Sequence, residues 1–370
     1  MVEWKKLGDI CSVHTGNQLN RDDMIENGMY PVVNGGKEFS GFTNSYNETA
    51  NNITISQGGE SAGYVNWIES NFWAGAHCYV VEHDAQIDKR YLYHTLKNKE
   101  RDIQLSKQGA GIPGLNRGTL YKQIIPIPSL SEQTRIVGIL DTFTASIDNL
   151  KEQIAERRKQ YEHYRDQLLD LEGKPGVEMK KLGEVCDIKG RIGFRGYTRE
   201  DQVVKGEGAL TLTASNIVNQ RIDYTNNTYI TWEKYFESPE IMVNEGDIIV
   251  CQRGSIGKIA IISGLQEKAT INPQLLLLKN IKCNNRFLIH YLLSRSFQDS
   301  LNRIIGHGTV QMIAQKDLKE LHIPLLDSKR QQGIVSILDT FEASIQNLEA
   351  QLKEREKQYE YYRNKLLTFE

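Results

Sequence analysis

The chain has 370 residues, of which 39% are hydrophobic and 25% are charged, and its formal net charge is −2. This composition is typical of a soluble protein with two or three cores, and no apolar run reaches the roughly 20 residues of a membrane span. A nearly neutral chain has no global field for nucleic acid, so any phosphate binding must depend on local patches. The N-terminal segment lacks a signal sequence, which predicts a cytoplasmic protein.

Residue spacing argues against a metal or catalytic site. The five cysteines include no C-x-x-C pair, so we expect buried thiols rather than a disulfide framework or a zinc site. The eight histidines show no metal-ligand spacing on a helix. Gly254–Lys258 is too short for a phosphate-binding loop, and no nucleophile motif or acidic dyad is recognisable. We predict that the chain has no catalytic residues and binds no metal.

Residues 1–131 predict a first globule of short strands and glycine-rich turns. The β-branched run Asn52–Ser56 predicts a strand, and Lys89–Asn98 predicts a short helix. The stretch SQGGESAGYV (Ser56–Val65) predicts a hairpin loop whose glycines supply positive φ angles. Polar side chains on such a loop can contact base edges or phosphates. The candidate contacts in this globule are Lys37, Gln57, Ser61, Tyr64, Asn116 and Arg117.

Residues 132–172 predict a long first helix, and residues 173–176 (GKPG) predict the linker that follows it. Pro126 and Pro128 precede the helix and end the strand before it. Apolar residues then alternate in steps of four and three, which is the pattern of a heptad seam. The seam consists of Ile136, Leu140, Phe143, Ile147, Leu150, Ile154 and Arg157.

Residues 177–329 predict a second globule with its own strands and helices. It carries 20 basic and 17 acidic side chains, and it is therefore slightly positive. Asp247–Cys251 predicts a strand that leads into the glycine loop CQRGSIGKIA, and Arg286–Leu301 predicts a helix. The candidate nucleic-acid contacts here are Arg191, Arg195, Gln252, Arg253, Ser255, Lys258, Thr309 and Gln311.

Residues 330–370 predict a second long helix that repeats the first. When residues 136–169 are aligned with residues 334–367 at a shift of 198, 23 of 34 positions are identical. The seam returns as Ile334, Leu338, Phe341, Ile345, Leu348, Leu352 and Arg355. Arg157 and Arg355 occupy equivalent seam positions, where they either fix the register or extend their charged ends to solvent.

A second repeat relates residues 3–11 to residues 178–186 at a shift of 175, so the second globule is longer by 23 residues. The chain therefore alternates globule, helix, globule, helix, and the helices are far more alike than the globules. The two helices most economically pack on each other in an antiparallel pair. The alternative is that each helix packs on its own globule or on another chain. We predict an α+β fold in which two long antiparallel coiled-coil helices separate two α/β globules, with an internal pseudo-two-fold repeat.

This order of elements, with IPIPSLSEQTRIVGILD at Ile125–Asp141 and its copy at Ile323–Asp339, resembles the specificity subunit (HsdS) of type I restriction-modification enzymes. The most specific part of the resemblance is the helix start formed by Pro128, Glu132, Gln133, Ile136 and Leu140. The second copy departs from this pattern, because it has leucine and arginine in place of the proline and the glutamate.

The resemblance implies a non-catalytic subunit whose two globules are target recognition domains, each of which reads one half of an interrupted DNA site. It implies that the helices set the spacing and dock two methyltransferase (HsdM) subunits, which hold the S-adenosylmethionine, so this chain itself has no cofactor. It leaves open whether nuclease/translocase (HsdR) subunits join the complex. The alternatives are a coiled-coil adaptor that carries two modules that do not bind DNA, and an enzyme with an unrecognised site in the second globule.

Overall fold

The computed structural model describes residues 2–83, 86–107, 114–305 and 311–369, and the chain folds as two compact units. The first unit consists of Met1–Glu152 and Glu349–Glu370, and the second consists of Gln153–Leu348. This division differs from the boundaries expected from the sequence, because each long helix is shared between the units. Each unit therefore contains one globule, the first part of the helix that follows it and the last part of the other helix.

In the described residues, the first globule and its long helix contain nine strands and five α-helices, two of which are single turns. In chain order they are β1 (Glu3–Lys6), α1 (Leu7–Ile10), β2 (Cys11–Thr15), β3 (Tyr30–Val33), β4 (Gly41–Thr43), β5 (Asn52–Ser56), β6 (Val65–Ile68), β7 (Trp73–Ala74), β8 (Cys78–His83), α2 (Lys89–Asn98), α3 (Glu100–Leu105), α4 (Arg117–Tyr121), β9 (Ile124–Ile127) and α5 (Leu130–Leu169).

The second globule and its long helix continue the same order with additional strands. They comprise β10 (Glu178–Lys181), α6 (Leu182–Val185), β11 (Asp187–Gly190), β12 (Gln202–Val203), β13 (Gly208–Leu212), β14 (Ile217–Val218), β15 (Arg221–Ile222), β16 (Thr228–Thr231), α7 (Trp232–Phe236), β17 (Met242–Val243), β18 (Ile248–Cys251), β19 (Ile259–Ile261), β20 (Ala269–Ile271), β21 (Leu275–Lys279), α8 (Asn285–Leu293), α9 (Arg295–Arg303), α10 (Gln315–Glu320), β22 (His322–Leu325) and α11 (Ser328–Leu367).

Several local predictions agree with these bounds. The strand Asn52–Ser56 and the helix Lys89–Asn98 are present as β5 and α2. The single helix expected at Arg286–Leu301 is instead two helices, because Ser294 has an extended backbone and its side chain caps the second helix by accepting from the Phe297 amide. None of the five cysteines, all of which lie in the described ranges, forms a disulfide, and only Cys283 is not fully buried. No helix in the described part of the chain could cross a membrane.

Both globules are built on a four-stranded antiparallel sheet with the same strand order. The order is β2-β8-β5-β6 in the first and β11-β21-β18-β19 in the second. Strands β5, β18 and β21 are almost wholly buried because their residues are β-branched or apolar, which suits a sheet covered on both faces. The second globule thus keeps the framework of the first, although its sequence has diverged.

The 23 additional residues enlarge a second sheet. In the first globule this sheet has three strands in the order β4-β3-β7, with β3 and β7 parallel. In the second globule it has five strands in the order β12-β16-β13-β20-β17, with β13 and β20 parallel. A separate ribbon, β14-β15, also belongs to the second globule. The additional strands of the second globule are therefore β12 and β17, at the edges of this sheet, and the separate ribbon β14-β15.

The long helices contact each other inside each unit in the antiparallel sense. In the first unit the rings of Phe143 and Tyr362 stack at 5.3 Å, and Leu367 lies in the same apolar core as Ile136 and Leu140. In the second unit Tyr164 stacks on Phe341 at the same distance. None of the fourteen seam residues is exposed to solvent.

The seam arginines lie over aromatic rings of the opposite helix. The Arg355 guanidinium is 5.7 Å from the ring centre of Phe143, and the Arg157 guanidinium is 5.8 Å from that of Phe341. Cation–π attraction is directional and favours one axial position of the helices. This placement favours the register interpretation over simple extension to solvent.

Candidate nucleic-acid interface

The first glycine loop follows β5 and is held from two sides. The Gln57 amide donates to the His77 carbonyl at 2.9 Å, and the Leu115 amide donates to the Gln57 carbonyl at 2.7 Å. Gly59 and Gly63 have φ angles of 75° and 88°, which require glycine. These bonds bring the loop next to the segment that carries Asn116 and Arg117, so residues distant in sequence form one surface.

The second glycine loop follows β18 and is held in the same way. The Gln252 amide donates to the Gln274 carbonyl at 2.9 Å, and the Ile313 amide donates to the Gln252 carbonyl at 3.0 Å. A β-bridge joins Arg253 to Met312, as another joins Gly58 to Gly114 in the first unit. The structure therefore brings Gln252 and Arg253 together with the segment that contains Gln311. Thr309 lies outside the described residues.

The polar side chains of the second glycine loop differ in exposure and in the hydrogen bonds that they already make within the protein. Arg253, Ser255 and Lys258 are exposed, and the Arg253 guanidinium makes a weak contact to the Met312 sulfur at 3.6 Å. Gln252 is half-buried, and its side-chain amide donates to the Pro273 carbonyl at 2.9 Å. The exposed cations are therefore better placed than Gln252 to contact an external ligand.

In the first unit a cationic and aromatic cluster lies beside the loop. Tyr64 follows Ser61, its carbonyl accepts from the Ser56 amide, and the ammonium of Lys97 is 4.1 Å from its ring centre. The Lys37 ammonium is 6.0 Å from the same ring. Burial raises the pKa of Tyr64, and the carboxylates of Glu100 and Glu38 raise it further, so the hydroxyl stays neutral. The Lys97 ammonium is already bound by the Glu100 carboxylate at 2.6 Å and by the Val65 carbonyl at 2.9 Å, so the exposed Lys37 is the better placed of the two cations to contact a nucleic-acid backbone.

The end of this surface is formed by the start of α4. The Asn116 side chain is exposed, and its oxygen caps the helix by accepting a hydrogen bond from the Gly118 amide at 2.7 Å. Arg117 is exposed, and its guanidinium is 5.8 Å from the ring centre of Tyr79. The Tyr79 hydroxyl donates to the Leu115 carbonyl, which anchors this segment to the sheet.

Arg191 does not lie on the surface, which corrects its assignment as a DNA contact. It is buried, and its guanidinium donates to the Ile271 carbonyl, the Thr270 hydroxyl and the Arg195 carbonyl. Burial lowers the pKa of Arg191. Because these acceptors already use its donors, Arg191 supports the second sheet. Arg195 is half-buried and faces Glu240 at 3.4 Å.

Sequence reasoning missed a pair of glutamines that fasten each globule to its helix. Gln133 is fully buried; its amide donates to the Pro128 carbonyl at 3.0 Å and its carbonyl accepts from the Asp88 amide at 2.8 Å. Gln331 makes the equivalent bonds to Leu326 and Asn284 at 2.7 and 3.0 Å. The signal was present, because this glutamine belongs to the repeated helix start, but the amide from which it accepts lies 45 residues away in the first unit and 47 in the second.

Within the described ranges no group of histidine, cysteine, aspartate or glutamate side chains could hold a metal ion. Each unit has a polar glycine loop at the end of the equivalent strand of its four-stranded sheet, β5 in the first unit and β18 in the second. Equivalent backbone hydrogen bonds hold both loops. Each loop can present a set of hydrogen-bond donors to a ligand.

Comparison with known proteins identifies the family. The profile of the type I restriction modification DNA specificity domain matches residues 1–157 and 175–356. The chain belongs to this family. It is 28% identical to a putative type I restriction enzyme specificity subunit of Haemophilus influenzae over 100% of this chain and 96% of the relative. It is 27% identical to the specificity subunit of the EcoR124I/EcoR124II enzyme of Escherichia coli, over 100% and 94%.

A solved structure supports the fold. The S subunit of a type I restriction-modification system from Mycoplasma genitalium superposes with a TM-score of 0.63, at 20% identity, over 100% of this chain and 97% of that one. The expectation of an α+β HsdS-like architecture is therefore confirmed. The family assignment also makes the chain a DNA specificity subunit, a role distinct from catalysis.

Proposed function

We propose that each globule reads one half of an interrupted DNA site through its glycine loop. The observation that carries the proposal is the repeated loop geometry described above, with the same backbone attachments but different side chains. Gly58 and Arg253 occupy equivalent bridge positions, so one loop presents bare backbone where the other presents a guanidinium. Arginine can bond guanine edges in the major groove, whereas bare backbone permits close approach.

The long helices set the spacing between the half-sites and dock the methyltransferase subunits. Each unit carries an aromatic patch, which we define as Phe143, Arg355 and Tyr362 in the first unit and Phe341, Arg157 and Tyr164 in the second. Tyr362 and Tyr164 are 40% and 44% exposed although their rings are stacked. Exposed tyrosine and arginine side chains are the usual anchors of protein interfaces. Because the patch occurs twice, it suits two copies of one partner.

The chain works without its own cofactor, and the partner binds S-adenosylmethionine.

A methylation map tests the main proposal. Adenine methylation across the genome is compared in cells that carry the partner methyltransferase with and without this chain. We expect a two-part site with a fixed gap only when the chain is present. Methylation that is unchanged by the chain would favour a coiled-coil adaptor, and S-adenosylmethionine binding by the isolated chain would favour an enzyme.

Docking is tested by Tyr164→Ala and Tyr362→Ala. Each variant should remove one methyltransferase copy from the complex, and the double variant should remove both, as measured by native mass spectrometry. Ile337→Ala is the matched control, because Ile337 is also exposed on a long helix but lies outside both patches. Retention of two copies by the double variant would place the docking surface elsewhere.

A further inference from the structure

A buried polar cluster joins three elements of the first unit. His94 of α2 has no exposed surface; its Nε2 is 2.7 Å from the Asp141 carboxylate of α5, and its Nδ1 is 3.3 Å from the Tyr359 hydroxyl of α11. Arg90, one turn earlier on α2, donates from Nε to the same Asp141 oxygen at 2.7 Å. Because a carboxylate only accepts, the His94 Nε2 carries hydrogen and Nδ1 accepts from the tyrosine when the ring is neutral.

The second unit contains the same cluster, built from equivalent positions. His290 of α8 is fully buried; its Nε2 is 2.9 Å from Asp339 of α11, and its Nδ1 is 2.9 Å from the Tyr161 hydroxyl of α5. Arg286 donates to Asp339 from both Nε and Nη2, at 3.0 and 2.6 Å. Both globule helices therefore carry an Arg-x-x-x-His pair, and both long helices supply the aspartate and the tyrosine. We call these clusters the first and second joints.

The contacts in the joints are better suited to fixing the orientation of the globule helix than to increasing the free energy of unfolding. The Asp141 and Asp339 side chains are 38% and 39% exposed, and a partly exposed ion pair gives little net stability because solvent screens the attraction. Apolar contacts, by contrast, tolerate small rotations of one helix against another, since they have no preferred direction. Each joint histidine uses both ring nitrogens, one toward each long helix, so rotation of the globule helix breaks at least one bond. Only one orientation of the globule on its helix pair satisfies all the bonds.

Neither joint has the features of a reaction site. The histidines are enclosed, and the tyrosine and arginine side chains that surround them are bonded within the cluster. Partial burial opposes ionisation of Asp339, but the hydrogen bonds that it accepts from His290 and Arg286 lower its pKa to about 2. A permanently charged aspartate with fixed donors is suited to holding geometry.

We propose that Asp141 and Asp339 are positioning residues that fix the orientation of each globule on its helix pair, and thereby the gap between the two half-sites that the enzyme methylates. This inference rests on the proposed function. It predicts that a damaged joint leaves the bases read by each globule unchanged, because the loops are untouched, but loosens the gap.

The test uses the complete complex in cells, with the partner methyltransferase and a genome-wide map of methylated adenines. The variants are Asp141→Asn and the double change His94→Leu with Asp141→Leu, which replaces the polar bonds with apolar packing. We expect both half-sequences to persist, while the fraction of methylated sites with a gap one base pair too long or too short rises about tenfold. A tenfold change is the size expected from losing one hydrogen bond to a charged group.

Asp148→Asn is the matched control, because it makes the same charge change on the same helix at a side chain that is 72% exposed. It should keep the original gap distribution. The inference is overturned if the double leucine variant folds and keeps the original gap distribution. It is also overturned if that variant unfolds, since the joint would then be a stability element. If the unaltered chain directs no two-part methylation, the proposed function itself fails, which is a separate outcome.

Discussion

The two globules differ most at the edges of their second sheets and least where they meet the long helices. The first has three strands in that sheet and the second has five, yet the four-stranded sheet beside it has one strand order in both. The fastening glutamines and the joints occupy equivalent positions at shifts of 196 or 198 residues. Attachment is thus held constant while the second sheet and the loop side chains vary, as expected if both globules fit the same partners and, as we propose, read different half-sites.

The joints themselves differ at one position. Arg286 contacts two carboxylates, Asp339 and Glu342, whereas the residue equivalent to Glu342 in the first unit is Thr144. In the first joint the Arg90 guanidinium therefore pairs with one carboxylate, whereas in the second joint the Arg286 guanidinium pairs with two. The following predictions test how far the two attachments are equivalent, from the largest expected effect to the smallest.

Gln133→Leu and Gln331→Leu should be the most damaging changes, and equally so in the two units. Each variant removes the side-chain partner of two backbone groups. These are the Pro128 carbonyl and the Asp88 amide in the first unit, and the Leu326 carbonyl and the Asn284 amide in the second. An unsatisfied buried group costs about 1–3 kcal/mol, so we expect a loss of about 2–4 kcal/mol per variant. Hydrogen exchange of α2 and α8 reports each unit separately.

Exposed Gln346 on α11 supplies the control for this pair, and Gln346→Leu should leave exchange in both helices unchanged. Loss of protection in α2 after Gln331→Leu, or in α8 after Gln133→Leu, would contradict independent attachment of the two globules.

The glycine loops should respond in opposite directions at their equivalent positions. If the Arg253 guanidinium reads guanine, Arg253→Ala should weaken discrimination at one base pair of the second half-site by about 1–3 kcal/mol, and if it contacts phosphate, the variant should weaken all sites alike. Gly58→Arg should fold, since a Cβ at Gly58 meets no atom within 4 Å, and it should alter only the first half-site. Methylation maps check both variants. An effect of either change on the other half-site would refute separate reading.

The order of the elements could be predicted from the sequence, but the side-chain contacts that attach each globule to its helices could not. The repeat, the seams and the glycine loops follow from periodicity and composition, which are local signals. The partner of Asp141 is His94, about 47 residues away, and no spacing rule links them. Arg191 was misassigned for the same reason, because only the folded second sheet reveals the carbonyl of Ile271 beside its guanidinium. The shared strand order was hidden because sheet topology survives changes that erase sequence similarity.

Exchanging the residues that distinguish the joints should have a smaller effect than breaking either one. Glu342→Thr removes one of the two carboxylates that hold Arg286, together with an acceptor 3.3 Å from the Tyr161 hydroxyl. The Glu342 side chain is 19% exposed, so we expect the second unit to lose about 1 kcal/mol. Thr144→Glu should leave the first unit unchanged or slightly stabilise it. Urea unfolding followed by exchange of α8 and α2 measures both effects. Equal losses in the two variants would show that the second carboxylate has no role of its own.

Acidification should produce the smallest effect, through His94 of the first joint. Burial lowers the pKa of His94, against the opposing hydrogen bond and charge of Asp141, and the charges of Arg90 and Arg363 lower it further. The unfolded chain, with an ordinary histidine pKa of about 6.5, therefore binds a proton more readily than the folded unit does. Stability is complete above that value and declines as the pH falls from about 6.5 toward the folded pKa.

Asp141 does not titrate in the pH range in which His94 loses its contribution to stability. Burial opposes ionisation of Asp141, but the hydrogen bonds from His94 and Arg90 lower its pKa, so its own contribution is lost only at more acidic pH. Hydrogen exchange of α2 at pH 7.5 and 5.5, corrected for intrinsic exchange rates, should show weaker protection at the lower pH in the natural chain. His94→Gln should reduce that pH dependence even though it weakens α2 at both values, because the other histidines of the unit remain. An equal pH dependence in the two proteins would mean that His94 is not the group that titrates.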